Sequence, residues 1–226
     1  MLKVEQLFVG CPFTSNLRKN YDKLKSDLEA ETPLRIVLAD TTSITSSDTL
    51  LEHITSLIRD SSACIFDATG GNPNVSLELG IAHALPVDFL ITLSIRKQRS
   101  AKKPAKKRTS PSGDLVKAII ADLQGRNRIE YKTYPALKDQ VKKRYLARLP
   151  YMKHWFEFEK DHKSYIPFAL RMFNEIRSSG RTTAPRLDAI LSGSGISTTA
   201  LRKALTKHRL VTVRPGRDGG YFYPSK

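Results

Sequence analysis

Four short apolar runs limit what this chain can fold into. They occupy residues 7–13 (LFVGCPF), 34–40 (LRIVLAD), 63–67 (ACIFD) and 89–95 (FLITLSI). Between them the apolar residues change to helical spacing: Leu17, Tyr21, Leu24 and Leu28, then Leu50, Leu51, Ile54, Leu57 and Ile58, then a third segment over about 75–84. Runs that are apolar throughout, rather than alternating, belong to strands covered on both faces. Strand and helix in strict succession build βαβ units, a parallel sheet and right-handed crossovers. A further strand at 129–133 and helices at 114–123 and 137–149 extend this to a five-stranded α/β domain over residues 1–150.

Charge divides the chain in two. Of the formal net charge of +16, residues 1–94 carry seven basic against twelve acidic side chains, a net of −5, and residues 95–226 carry the remainder, a net of +21. A basic half seeks polyanions, most simply nucleic acid. Residues 96–113, RKQRSAKKPAKKRTSPSG, hold eight Lys and Arg and no acid, a loop too charged to join a core. It reads either as a solvated insertion or as an arm in which Lys102, Lys103, Lys106, Lys107 and Arg108 meet phosphates. No apolar run approaches the roughly 20 residues needed to span a bilayer, and the start, MLKVEQLFVG, reads as a strand, not a secretion signal. The expectation is a cytoplasmic protein with no membrane partner. Two cysteines, Cys11 and Cys64, make no disulfide framework and read as small buried hydrophobes. No Cys/His cluster has metal-ligand spacing, so no metal site is expected.

Residues 151–226 follow a different logic. Helical spacing over 165–176 and 184–191 is followed by Ser197 and the helix TTALRKALTKHRL, then by the strand 210–214, the turn PGRDGG and the strand 221–223. Three helices and a hairpin with a Gly-rich tip resemble a winged helix-turn-helix domain, its wing spanning 211–223. Arg202, Lys203, Lys207 and Arg209 on the third helix, with Arg214 and Arg217 in the wing, are the candidate DNA contacts, chiefly to phosphates. Winged helices also dock on proteins, and that reading stays open. Trp155, Phe156 and Phe158 read as packing at the junction between the two parts.

The chemistry-bearing stretch is DATGGNPNVSLELGIAHAL, residues 67–85: a strand ending on Asp67, a loop with Gly70, Gly71, Asn72 and Asn74, and a helix carrying Glu78. Ligands of open α/β sheets bind outside the carboxyl ends of the strands, where this loop falls. LFVGCPF, SSACIFDAT and NPNVSLELGIAHAL together resemble the nucleoside 2-deoxyribosyltransferase group and its TIR-like relatives over residues 6–95. The resemblance implies a flavodoxin-like sheet, a bound nucleotide or nucleoside, and Glu78 as the carboxylate that attacks or stabilises the sugar. It makes Asp67 a second catalytic residue that orients base or ribose, and lines the pocket with Gly10 and Phe13. It also implies a homo-oligomer, and NAD as a possible substrate, with no tightly bound cofactor. The amides of Gly70, Gly71 and Asn74 would receive a phosphate or ribose hydroxyl at the helix N-terminus. That same N-terminus would keep Glu78 ionised. Asn72 and Asn74 offer ribose neutral hydrogen bonds beside it. The alternative function is a nucleotide-sensing regulator that binds DNA without catalysis.

Overall fold

A computed structural model describes residues 2–13, 15–39, 47–95, 128–216 and 219–224. The basic residues Lys102, Lys103, Lys106, Lys107, Arg108 and Arg217, Asp40 and the expected helix at 114–123 lie outside the described residues.

The strands are β1 (Lys3–Gly10), β2 (Arg35–Leu38), β3 (Ser61–Asp67), β4 (Asp88–Ser94) and β5 (Arg128–Tyr131), and they pair in the order β2-β1-β3-β4-β5. Every pairing is parallel. This is the flavodoxin-like order, whose reversal at β1 and β3 opens a crevice at the carboxyl edge. Side chains alternate between the faces. Leu7, Val9, Ala63 and Ile65 point to one face, where they meet Tyr21, Leu24 and Leu28 of α1 (Ser15–Glu31) and Leu137 of α4 (Tyr134–Gln140). Phe8, Cys64 and Phe66 point to the other, under α2 (Ser47–Asp60) and α3 (Pro73–Ala84).

The expected basic helix over 137–149 is broken into three pieces. After α4 the chain makes one π-helical turn, Val141–Tyr145, and a short 3-10 turn, Leu146–Arg148. The wider turn goes with an inward Tyr145, whose hydroxyl donates to the carbonyls of Cys64 (3.0 Å) and Asp88 (3.1 Å). Burying a tyrosine needs such partners.

Beyond it come α5 (Pro150–Asp161), α6 (Ile166–Ser179), α7 (Ala184–Leu191), α8 (Thr198–Lys207) and the antiparallel pair β6 (Thr212–Arg214) and β7 (Gly220–Phe222). α6, α7, α8 and the hairpin are the elements expected from sequence, α5 was not among them, and Gly180, at φ +77°, ends α6 in the left-handed conformation glycine allows. The apolar core runs without a break from Leu7 and Val9 through Leu149, Met152 and Trp155 to Leu205 and Tyr221. Trp155 is buried in this core, stacked on Phe158 and edge-on to Phe173, both within residues 151–226. Arg177 of α6 donates to the carbonyls of Leu34 (3.0 Å), Thr32 (3.3 Å) and Glu29 (2.5 Å) beside edge strand β2. Tyr223 donates to Pro33 O at 3.0 Å and Tyr151 to Leu210 O at 2.9 Å. Charged side chains over an edge strand discourage further pairing.

His208, at the end of α8, is buried edge-on against Phe158 and His162, with Nε2 unbonded and Asp161 at 3.6 Å. Burial holds its pKa below the usual 6.5, with His162 and Lys207 pushing the same way and Asp161 and Glu157 opposing. The unfolded chain therefore takes up this proton first, and the share of stability that His208 contributes falls as pH drops below 6.5. Urea midpoints should show a slope of at most about 1.4 kcal/mol per pH unit from this group. His208→Gln should lose this contribution, read as the difference between its slope and that of wild type.

Candidate active site

The site is assembled by β1, β3 and the turn between β3 and α3. Gly70 and Gly71 lie at φ +76° and +63°, a left-handed pair that brings the chain off β3 and back over the sheet edge. Asn72 then caps α3: its Oδ1 accepts from the amides of Asn74 (3.0 Å) and Val75 (3.3 Å), and Pro73 fills the first helical position. The helix buries Val75, Glu78, Leu79 and Ala82. Glu78 therefore sits within the core-facing stripe, at a position where an apolar residue is the rule.

Its carboxylate is pressed onto the sheet. A Cβ built on Gly10 would overlap Glu78 Oε2 and come within 2.8 Å of the Phe66 ring, so only glycine leaves room for the acid there. Glu78 is 5 % exposed, and Oε2 has no hydrogen-bond partner among the described residues. Desolvation dominates: burial pushes its pKa up to about 7. The expectation that the helix N-terminus keeps it ionised is thus corrected. Glu78 lies in the second turn, and the terminal field fades within the first.

Beside Glu78 opens a cavity of about 220 Å³ lined by Phe13, Leu50, Leu51, Ile54, Asn74, Leu77 and Ile81. Among the described residues its one polar lining residue apart from Glu78 is Asn74. Phe13 (43 % exposed), Leu51 (46 %) and Leu77 (55 %) form an apolar rim. The Arg18 guanidinium stands 5.4 Å from the Phe13 ring centre.

Gly10, Phe13, Asn74 and Glu78 are thus brought together as expected. Asp67 is not. It is fully buried, and its Oδ2 accepts from Tyr131 OH at 2.8 Å and its Oδ1 from Thr69 N at 2.8 Å. Tyr131 belongs to the α1 side of the sheet, whereas Glu78 lies on the α3 side. Asp67 therefore cannot orient a ligand in the Glu78 cavity. The phosphate-receiving amides need correction too. Gly71 N donates to Ala68 O (3.2 Å) and Asn74 N to Asn72 Oδ1, so both are spent on the turn and the cap. The Asn72 amide oxygen is likewise a cap and not a ribose ligand.

Sequence reasoning missed Tyr131, Tyr21 and Thr92, which surround Asp67; Tyr21 OH lies 2.6 Å from Thr92 Oγ1. Burial, with Asp67 adding to it, raises the Tyr131 pKa beyond its ordinary range. Cys11, next to Gly10, is pushed up to about 12 by burial, so it is a thiol and no nucleophile at neutral pH. Among the described residues no group of His, Cys, Asp and Glu converges in a way that could hold a metal, and no helix is long and apolar enough to cross a membrane.

On the basic C-terminal surface, Arg202, Lys203, Lys207, Arg209 and Arg214 are all exposed. Arg209 has left-handed backbone (φ 56°) and borders a different hollow, with Leu2, Val4 and Tyr151. Arg214 lies over the ring of Phe222 across the hairpin.

No protein-family model matches this chain, and no curated protein matches it. Among solved structures it is similar to a 2-desoxiribosyltransferase from Leishmania mexicana, with 16% identity and a TM-score of 0.36, over 39% of this chain and 64% of that one. The chain thus spans less than two thirds of that transferase. It is also similar to a conserved protein from Enterococcus faecalis, with 12% identity and a TM-score of 0.43, over 64% of this chain and 99% of the other. The fold stands on its own strand order, and likenesses this distant add nothing to the chemistry of the site.

Proposed function

We propose that the protein binds a nucleoside or nucleotide at the carboxyl edge of its sheet and breaks the N-glycosidic bond through Glu78. The observation that carries this reading is a buried carboxylate at the side of an apolar cavity, its Oε2 without a hydrogen-bond partner among the described residues. Bond breakage sends the C1′–N electron pair to the base nitrogen and leaves an oxocarbenium-like sugar. Glu78, ionised, stabilises that cation or captures it as an ester. Water then adds to C1′, breaking the C1′–O bond to Glu78 where an ester has formed and returning the free carboxylate, and the water proton goes to Glu78 or solvent. A poorly solvated carboxylate is better suited to this than a hydrated one, since no water shell must be shed.

The lining narrows the choice of substrate. A neutral base departs easily only when protonated, and Asn74, the other polar group in the lining among the described residues, cannot deliver a proton. A pyridinium base departs as a neutral ring with no acid at all. This favours NAD, or a nicotinamide nucleoside, over base exchange between neutral deoxynucleosides. Chromatography of products tests it: wild type should release free nicotinamide from NAD and Glu78→Gln none. Release of adenine or hypoxanthine from neutral nucleosides at a greater rate would reverse the preference. The absence of any product would sink the enzymatic reading.

That last outcome leaves the second reading, a ligand-sensing regulator, which the unbroken core between sheet and C-terminal helices supports. In both readings α6, α7, α8 and the hairpin act as a winged helix over residues 151–226, with Arg202, Lys203 and Lys207 meeting nucleic-acid phosphates. Replacing these three with Ala should weaken DNA binding on all sequences alike and reduce the salt slope of log K by about 3. An unchanged slope would place the partner elsewhere. The apolar rim of Phe13, Leu51 and Leu77 supports a homo-oligomer, which sedimentation tests directly.

A further inference from the structure

We infer that Asp67 is a positioning residue: bonded to Tyr131 on the far face of the sheet, it fixes the turn that sets Glu78 against Gly10. The inference rests on the reading of Glu78 as the reacting group. Its physical basis is a chain of short bonds. Asp67 Oδ2 accepts from Tyr131 OH at 2.8 Å, which ties the end of β3 to β5, two strands away. Asp67 Oδ1 accepts from Thr69 N at 2.8 Å, which sets the direction in which the chain leaves the strand. Ala68 N reaches Thr92 O at 3.0 Å, and Thr69 Oγ1 accepts from Ser94 N at 2.7 Å, so both residues are also held by β4. Gly71 N closes onto Ala68 O at 3.2 Å, and the next residue, Asn72, is the cap of α3. From Asp67 to the helix start, every step but Gly70 has a bonded anchor.

Such rigidity matters because the seat of Glu78 has no slack. Its Oε2 fills the space where a Gly10 side chain would be, and Phe66 closes the neighbouring side. A shift of α3 toward solvent would open that seat to water. A buried carboxylate that touches substrate and one that holds a turn give different signatures, and Asp67 has both oxygens occupied within the protein. Asn keeps both bonds: its Oδ1 accepts from Thr69 N, and its Nδ2 donates to the Tyr131 oxygen. Ala keeps neither.

The test compares wild type, Asp67→Ala, Asp67→Asn and Tyr131→Phe in the full chain, by carbon-13 titration of the Glu78 carboxyl. That signal is assigned by its loss in Glu78→Gln. In Asp67→Ala the Glu78 midpoint should fall by about one pH unit as water enters. Nicotinamide release should drop about 100-fold in kcat with little change in KM, as misplacement of a reacting group does. Asp67→Asn should restore both. A catalytic role would instead leave Glu78 titrating as in wild type while Asn proved as inactive as Ala, and that result overturns the inference. So does a folded Asp67→Ala whose Glu78 midpoint is unmoved. Should Asp67→Ala not fold, Tyr131→Phe, which removes one hydroxyl, carries the same comparison: a lowered midpoint supports the inference and an unmoved one overturns it. If wild type cleaves nothing, the proposed function falls, while the titrations still decide the role of Asp67.

Discussion

Replacing Glu78 with Gln is expected to make the protein more stable at pH 8 while removing its turnover. The carboxyl titrates near 7 when folded, against 4.5 ordinarily, because burial disfavours its charge. Between these values the folded chain holds a proton that the unfolded chain has lost. The contribution of Glu78 to stability is therefore full below 4.5 and is lost as pH rises through 7. At pH 8 the ionised group costs about 3 kcal/mol, from the size of the shift at about 1.4 kcal/mol per unit. A buried amide carries its own smaller penalty, so the net gain should be about 2 kcal/mol, or roughly 5 °C in Tm for a chain of this length. At pH 4.5 and below the gain should disappear. Urea unfolding of both proteins between pH 4 and pH 8.5 measures this. Equal stability across the range would mean that Glu78 is solvated. Proteins tolerate such costs at functional sites, and the proposed function accounts in this way for a group that weakens the fold on the buried stripe of a helix.

The second large effect is expected at Gly10. Its φ is not in the left-handed region, so strain in the backbone is no obstacle to a side chain; the obstacle is space. Gly10→Ala puts a methyl into Glu78 Oε2 and within 2.8 Å of Phe66, and one of the two must move. Overpacking of this kind costs about 1–3 kcal/mol. Displacement of Glu78 should in addition lower turnover about 100-fold. A double-mutant cycle separates the two neighbours. In a Glu78→Ala background only the Phe66 contact remains, so the cost of Gly10→Ala should fall by about 1 kcal/mol or more. Strict additivity of the two changes would mean that the methyl and the carboxylate never meet.

Much of the frame was legible in the residues. Four runs of Leu, Ile, Val and Phe at regular spacing gave the parallel sheet, because strands buried on both faces leave no other reading. The buried placement of Glu78 at the sheet edge was legible as well. With Val75, Leu79 and Ala82 it completes one buried stripe, so a charged residue had been placed where packing asks for an apolar one. The face of Asp67 was not legible. In a strand that is apolar on both sides, nothing in ACIFD says which parity meets α1 and which meets α3. Its partner Tyr131 lies 64 residues further on, in a strand that could be predicted but not paired. The Asn72 cap was a misjudgement of a different kind. An Asn just before Pro and a helix is a capping pattern in its own right. The break after Gln140 was hidden because a π-helical turn keeps the composition of the helix that it interrupts.

The measurement that bears most directly on all of this is the titration of the Glu78 carboxyl itself, by carbon-13 NMR on the intact protein, with Glu78→Gln as the blank. A midpoint near 7 is expected, and addition of a pyridinium nucleoside should lower it as a positive ring enters beside the acid. A midpoint at the ordinary 4.5, unmoved by such a ligand, would mean a solvated helix residue and no active site.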